Sequence, residues 1–117
     1  MLDGLRTGIK EIALERGVSV SESMMNHDKP VMCDPHLREI IRAAADQMKI
    51  PAMDIVSGPY HDSLMLGDIT RVGMIFVPSR DGISHNRAEW TDLRDIGAGT
   101  AVLADALWTL GNEERVE

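Results

Sequence analysis

Apolar positions along this chain follow two rhythms, and the switch between them marks out the elements. Leu5, Ile9, Ile12 and Ala13 recur at helical spacing and Gly17 follows as a stop, so residues 2–16 are predicted to form an amphipathic helix. Val18, Val20 and Met24 then alternate with Ser19, Ser21 and Ser23, the period of a strand over residues 18–24 with one solvated face. Residues 26–30, Asn-His-Asp-Lys-Pro, are polar and turn-forming, and read as a crossing between domains.

The helical period returns after Asp34-Pro35, an N-cap followed by the one residue that tolerates the first helical position best. Leu37, Ile40, Ile41, Ala44, Ala45 and Met48 line one face, which predicts a core-facing helix over residues 35–49, ended by Ile50-Pro51. Residues 52–56 suit a short strand, residues 57–62 a loop and residues 63–66 a short helix. Val72 to Val77 is a near-continuous apolar run, suited to a strand over 72–77 buried on both faces of an α/β sheet. Pro78 stops it, Gly82 allows a tight turn, and Ser84-His85-Asn86 lands just past the carboxyl end, where open α/β sheets bind ligands. Thr91 is the expected cap of a last helix, with a buried seam of Ile96, Thr100, Leu103, Leu107 and Leu110 and a stop at Gly111. The charged tail 112–117 is expected to fray.

Alternating helices and strands imply an α/β fold with a parallel or mixed sheet. Two sheet strands after residue 30 are few for an independent domain, and the first helix and strand cannot bury themselves alone. The pattern is that of the end of a larger protein, or of a chain that needs a partner.

Composition narrows the function classes. The 117 residues are 44% hydrophobic but only 3% aromatic, so packing falls to aliphatic residues and eight methionines. A formal net charge of −7 with no basic cluster argues against nucleic acid as a partner. The single cysteine, Cys33, rules out an internal disulfide and reads as a buried structural thiol in a reducing compartment. No signal-peptide core and no apolar run near the ~18 residues of a membrane span is present, which points to a soluble, cytoplasmic protein without a membrane partner.

Of four histidines, His36 near a helix start and His27 in the crossing are unremarkable, whereas His61 and His85 each follow a predicted strand in a glycine-containing loop. An imidazole so placed suits a metal ligand, a base or a substrate contact. A catalytic zinc usually has three protein ligands, and Asp62, Asp81 and Glu89 lie nearby without diagnostic spacing. No HExxH, CxxC, Gly-x-Ser-x-Gly or phosphate loop is present. The residues alone describe half a site.

Two stretches, SGPYHDS at 57–63 and MIFVPSRDGISHNRAEW at 74–90, resemble the C-terminal part of the N-carbamoyl-L-amino-acid hydrolases and allantoate amidohydrolases. These form the amidohydrolase branch of the aminoacylase/carboxypeptidase superfamily of dinuclear metallohydrolases. Their pattern reads Ser-Gly-Ala-Gly-His-Asp-Ala, then Met-hydrophobic-Phe-Val-Pro-Ser, then Gly-hydrophobic-Ser-His-Asn-Pro-x-Glu. The likeness covers most of residues 30–110, and Lys29-Pro30-Val31 is similar to the family's return from its lid domain.

The resemblance implies that residues 30–117 are the C-terminal part of an αβα-sandwich catalytic domain, and that residues 1–29 end an α+β lid and dimerisation domain. It implies His85 as ligand to one of two divalent metals (zinc, manganese, cobalt or nickel) and His61 as a catalytic, substrate-holding histidine oriented by Asp62. Ser57, Gly58 and Tyr60 would line the pocket for a small carbamoyl or ureido substrate, in a homodimeric complete enzyme. Pro59-Tyr60 replaces Ala-Gly, implying a narrower pocket or altered substrate choice, and Arg87 replaces a proline. The family's remaining ligands and its general-base glutamate precede this sequence, so the isolated chain is expected to be inactive. The alternatives are a non-catalytic fragment or subunit that requires a partner chain, and the dipeptidase or aminoacylase branch. The lid assignment further predicts few contacts between the first helix and the helix at 91–110.

Overall fold

Capping chemistry fixes most element ends. The computed structural model describes residues 2–113, which form four α-helices and one 3-10 turn. In α1 (Leu2–Arg16) the chain leaves the helix at Gly17, whose φ of +63° lets the Val18 N–H reach Ala13 O at 3.0 Å. α2 (Pro35–Gln47) starts where Asp34 Oδ1 accepts the Leu37 N–H at 3.0 Å, with proline at the first position. It ends two residues before the predicted boundary because Lys49 turns left-handed (φ 57°), and the Ile50 N–H caps Ala45 O at 2.9 Å.

α3 (Ser63–Leu66) and a 3-10 turn (Arg80–Gly82) follow, and the chain closes with α4 (Leu93–Asn112). Asp92, rather than Thr91, caps α4, its Oδ1 accepting the Arg94 N–H at 2.9 Å. Gly111 does not stop the helix: a glycine ends one by turning left-handed, and Gly111 stays helical, so α4 reaches Asn112. Glu113 pairs with His36 at 3.0 Å, joining the start of α2 to the end of α4. Of the tail 112–117 expected to fray, Asn112 is helical and Glu113 is paired, and residues 114–117 fall outside the described ones.

The predicted sheet does not form. Residues 18–24, 52–56 and 72–77 carry no strand, and none is present among the described residues. A strand exists only through a ladder with a neighbour, and this chain gives these segments none. Residues 72–77 nonetheless lie where two helices cover them. The Asp34 N–H donates to Val72 O at 2.8 Å, and a Cβ at Gly73 would meet Leu37 and Ile41 at 3.3 Å. A Cβ at Gly99 on α4 would come within 2.5 Å of Val77 Cγ1, so glycine is what allows that approach. Residues 52–56 are held to α2 by Asp54, which takes Arg38 at 3.0 Å and Arg42 at 3.1 Å. The hydrogen bond from Arg38 is the largest influence on the Asp54 carboxyl and holds it below its ordinary range.

The core sits between α2 and α4. Ala44 and Ala45 meet Val102, with Ile41, Ile50 and Ile75 packed around them. Val102 and Ala106 form the buried face of α4, whereas the predicted seam residues Ile96, Leu103 and Leu107 are 44%, 48% and 59% exposed. The small residues face α2 because alanine lets two helices approach closely; the large ones form a second apolar face with nothing over it here. Cys33 is half-buried along an open groove with Met32 and Arg38, not sealed in a core.

Among the described residues α1 packs against no other helix. Its charged face pairs Arg6 with Glu22, while Leu5, Ile12 and Leu14 remain exposed. The radius of gyration, 20.2 Å, exceeds the ~13 Å of a compact domain this long. The accessible surface, 10379 Å², compares with about 6,300 Å² for a folded monomer of this mass. Both mark an extended chain, with large apolar side chains such as Met25 and Val56 left exposed. No described helix is long and apolar enough to cross a membrane.

Candidate functional site

The segment at 72–77 delivers its chain into a loop that closes on itself. The Arg80 N–H donates to Trp90 O at 2.8 Å, the Ser79 hydroxyl donates to Ile83 O and Trp90 O, and the Arg80 guanidinium lies 5.4 Å from the Trp90 ring centroid. Asp81 (φ 56°) and Gly82 (φ +67°) make the sharp turn inside it. His85 sits at the far side of this loop, and its own φ is 57°.

A left-handed backbone costs a residue with a Cβ about 1–2 kcal/mol, so it persists where surrounding bonds dictate it. Here the His85 N–H donates to Glu89 Oε2 at 2.8 Å. Asn86 folds the chain back, its Oδ1 accepting the Ala88 N–H at 2.9 Å and its carbonyl the Glu89 N–H at 3.0 Å. His85 Nδ1 lies 3.2 Å from Ser84 Oγ.

The second loop brings His61 opposite. Its Nε2 is hydrogen-bonded to Ser57 Oγ at 2.6 Å, and its ring stands edge-on to Phe76, with centroids 5.6 Å apart at 63°. The His61 and His85 centroids are 6.3 Å apart, tilted by 59°. Two imidazoles from loops separated along the chain thus stand close together, His61 against Phe76 of the 72–77 segment. His61 is half-buried, while His85 is open to solvent.

The other predicted residues fall around this pair. Asp62 begins α3, its carbonyl accepting the Met65 and Leu66 N–H groups, and among the described residues no hydrogen bond joins its carboxylate to His61. The hydrogen-bond partner of the His61 ring is Ser57, where the resemblance implied Asp62. Gly58 has open space where a Cβ would stand. The Tyr60 hydroxyl donates to Asp28 Oδ2 at 2.8 Å, a bond to an anion that raises its pKa above 10.0. His36 serves the α2–α4 pairing instead of this site, and the His27 N–H merely bonds to Asn26.

Glu89 and Asp28 are the contributors that spacing did not disclose. Glu89 lies one turn beyond His85, and only the reversal at Asn86 brings its carboxylate back; Asp28 meets Tyr60 across 32 positions. Among the described residues, no group of three or more His, Cys, Asp or Glu is placed to hold a metal. His85 offers one imidazole donor, and the described residues do not complete a metal site around it.

The sequence profile of peptidase family M20/M25/M40 matches residues 4–109. The chain is 37% identical over 103 residues to an N-carbamoyl-L-amino-acid amidohydrolase of Paenarthrobacter aurescens, covering 88% of this chain and 25% of that protein. It is 32% identical over 102 residues to an allantoate amidohydrolase of Bacillus subtilis, covering 87% and 25%. Among solved structures it superposes on AtUAH in complex with (S)-hydroxyglycine with a TM-score of 0.83 at 30% identity, covering 96% of this chain and 27% of that one. The chain therefore spans about a quarter of the length of the proteins it matches.

Proposed function

Because the chain belongs to peptidase family M20/M25/M40, we propose that it is the C-terminal segment of a metal-dependent amidohydrolase. Its substrates would be N-carbamoyl-L-amino acids, allantoate or related ureido compounds, cleaved at a C–N bond. The observation that carries the reading is the meeting of His61 and His85 at 6.3 Å, from the two loops that resemble the amidohydrolases.

In this reading His85 would supply its imidazole to one of two divalent cations (zinc, manganese, cobalt or nickel). When bound, such ions supply Lewis acidity toward the scissile carbonyl. His61 faces the substrate: Ser57 fixes its ring through Nε2, Phe76 fixes its tilt, and together they hold it toward the side where His85 stands. Tyr60, tied to Asp28, is positioned beside His61 to limit the size of the group admitted.

The same reading covers the architecture. Residues 52–56 and 72–77, which form no strand here, would join a sheet only once the rest of an αβα-sandwich domain supplied its neighbours; α2 and α4 packing against 72–77 supports that placement. Residues 1–29 are the end of a lid that carries the dimer contact, and α1's lack of any helix partner among the described residues supports it. The chain alone, offering His85 without a full ligand set, would not turn over substrate.

The test is metal content and turnover in the complete enzyme. His85→Ala should lose about one equivalent of metal with nearly all activity; His61→Ala should keep its metal while turnover of a carbamoyl or ureido substrate collapses. Equal metal loss in both would overturn the division of roles. Robust turnover by the purified 117-residue chain supplied with these metals would overturn the segment reading.

A further inference from the structure

We propose that Glu89 is a positioning residue for His85, acting through the backbone. The inference rests on the reading of His85 as a metal ligand and goes beyond it. His85 is held at φ 57°, a conformation that side chains bearing a Cβ rarely adopt and that sets the direction in which its side chain leaves the backbone. A carboxylate accepts its N–H, from Glu89 Oε2 at 2.8 Å. That carboxylate is brought there by the reversal at Asn86, whose carbonyl takes the Glu89 N–H and whose side chain takes the Ala88 N–H. The Arg80–Trp90 closure fixes the residue after Glu89, so the acceptor is anchored from its C-terminal side as well. The chain folds back on His85 from its C-terminal side, and the side-chain acceptor of its N–H is Glu89.

What the geometry requires of Glu89 is an oxygen acceptor. A negative charge is not required, because the bond it makes is to an amide. This separates the proposal from a role as metal ligand or proton carrier, for which the carboxylate itself would be essential.

The experiment compares Glu89→Ala, Glu89→Gln and His85→Ala in the complete enzyme, with zinc affinity, the imidazole nitrogen resonances of His85 and the exchange rate of its amide as readouts. Glu89→Ala should weaken zinc binding by about 10-fold or more, shift the His85 imidazole resonances and speed amide exchange. Glu89→Gln keeps an oxygen acceptor and should restore affinity to within about threefold of the native protein. Native zinc affinity in Glu89→Ala alongside metal loss in His85→Ala would overturn the positioning role alone. Equal damage from Glu89→Gln and Glu89→Ala would overturn it too, by showing that charge is what matters. Unchanged metal in His85→Ala would instead overturn the ligand reading from which the proposal starts.

Discussion

The Tyr60 hydroxyl and the Asp28 carboxylate meet at 2.8 Å, fastening the His61 loop to the polar crossing that precedes α2. The bond matters because Tyr60 stands where the amidohydrolase pattern has glycine, and Asp28 lies in the segment that joins α1 to the rest of the chain. A departure from that pattern within the His61 loop thus has a partner outside the loop.

Tyr60 is the only tyrosine in the chain, so its ionisation can be read directly by ultraviolet absorbance. Accepting the hydroxyl hydrogen, Asp28 favours the neutral phenol and raises the Tyr60 pKa above 10.0, with desolvation and charge repulsion adding to it. For a raised pKa the sign is fixed: the stabilisation is complete below the ordinary value of 10.0 and disappears as pH climbs through the raised one. The titration midpoint should lie above 10.0 in the native chain and fall back toward it in Asp28→Ala. Identical midpoints in the two proteins would show that the bond is absent in solution.

The helices were legible in the sequence because each carries its own punctuation: Gly17 and the Asp34-Pro35 pair mark ends through local hydrogen bonds that need no distant partner. The strands were not, because an apolar run at 72–77 signals burial while a ladder requires another segment. The approach of His61 to His85 was not legible from spacing, since a contact between two loops leaves no period in the chain; family resemblance only assigned each a role. Ser57 as the partner of His61, and Glu89 as the partner of His85, depend on how each loop folds back, and a string of residue types does not encode that legibly.

Helix capping offers a sharper check on where α4 begins. Asp34 and Asp92 each accept an N–H from the first turn they precede, at 3.0 and 2.9 Å. Replacing either by alanine should cost about 1 kcal/mol, and by asparagine only a few tenths. Thr91→Ala, one residue before the true cap, should stay within about 0.5 kcal/mol of native. Urea unfolding of the five variants measures this; a loss at Thr91 equal to that at Asp92 would return the cap to threonine.

The two faces of α4 give the last prediction. Val102 is 4% exposed against Ala44 and Ala45, whereas Leu103, the next residue, is 48% exposed. In the 117-residue chain, Val102→Ala removes two buried methyl groups and should cost about 2 kcal/mol from transfer and cavity together. Leu103→Ala in the same chain should cost well under half of that, because its side chain already meets water. The order should reverse in the complete enzyme if a second layer covers the Leu103 face, with Leu103→Ala then costing about 2–5 kcal/mol, as for other buried leucines. Paired urea melts of both variants in both contexts decide it. A Leu103→Ala cost that stays small in the complete enzyme would mean that this apolar face remains open to solvent, and would count against α4 as a helix enclosed within a larger sandwich.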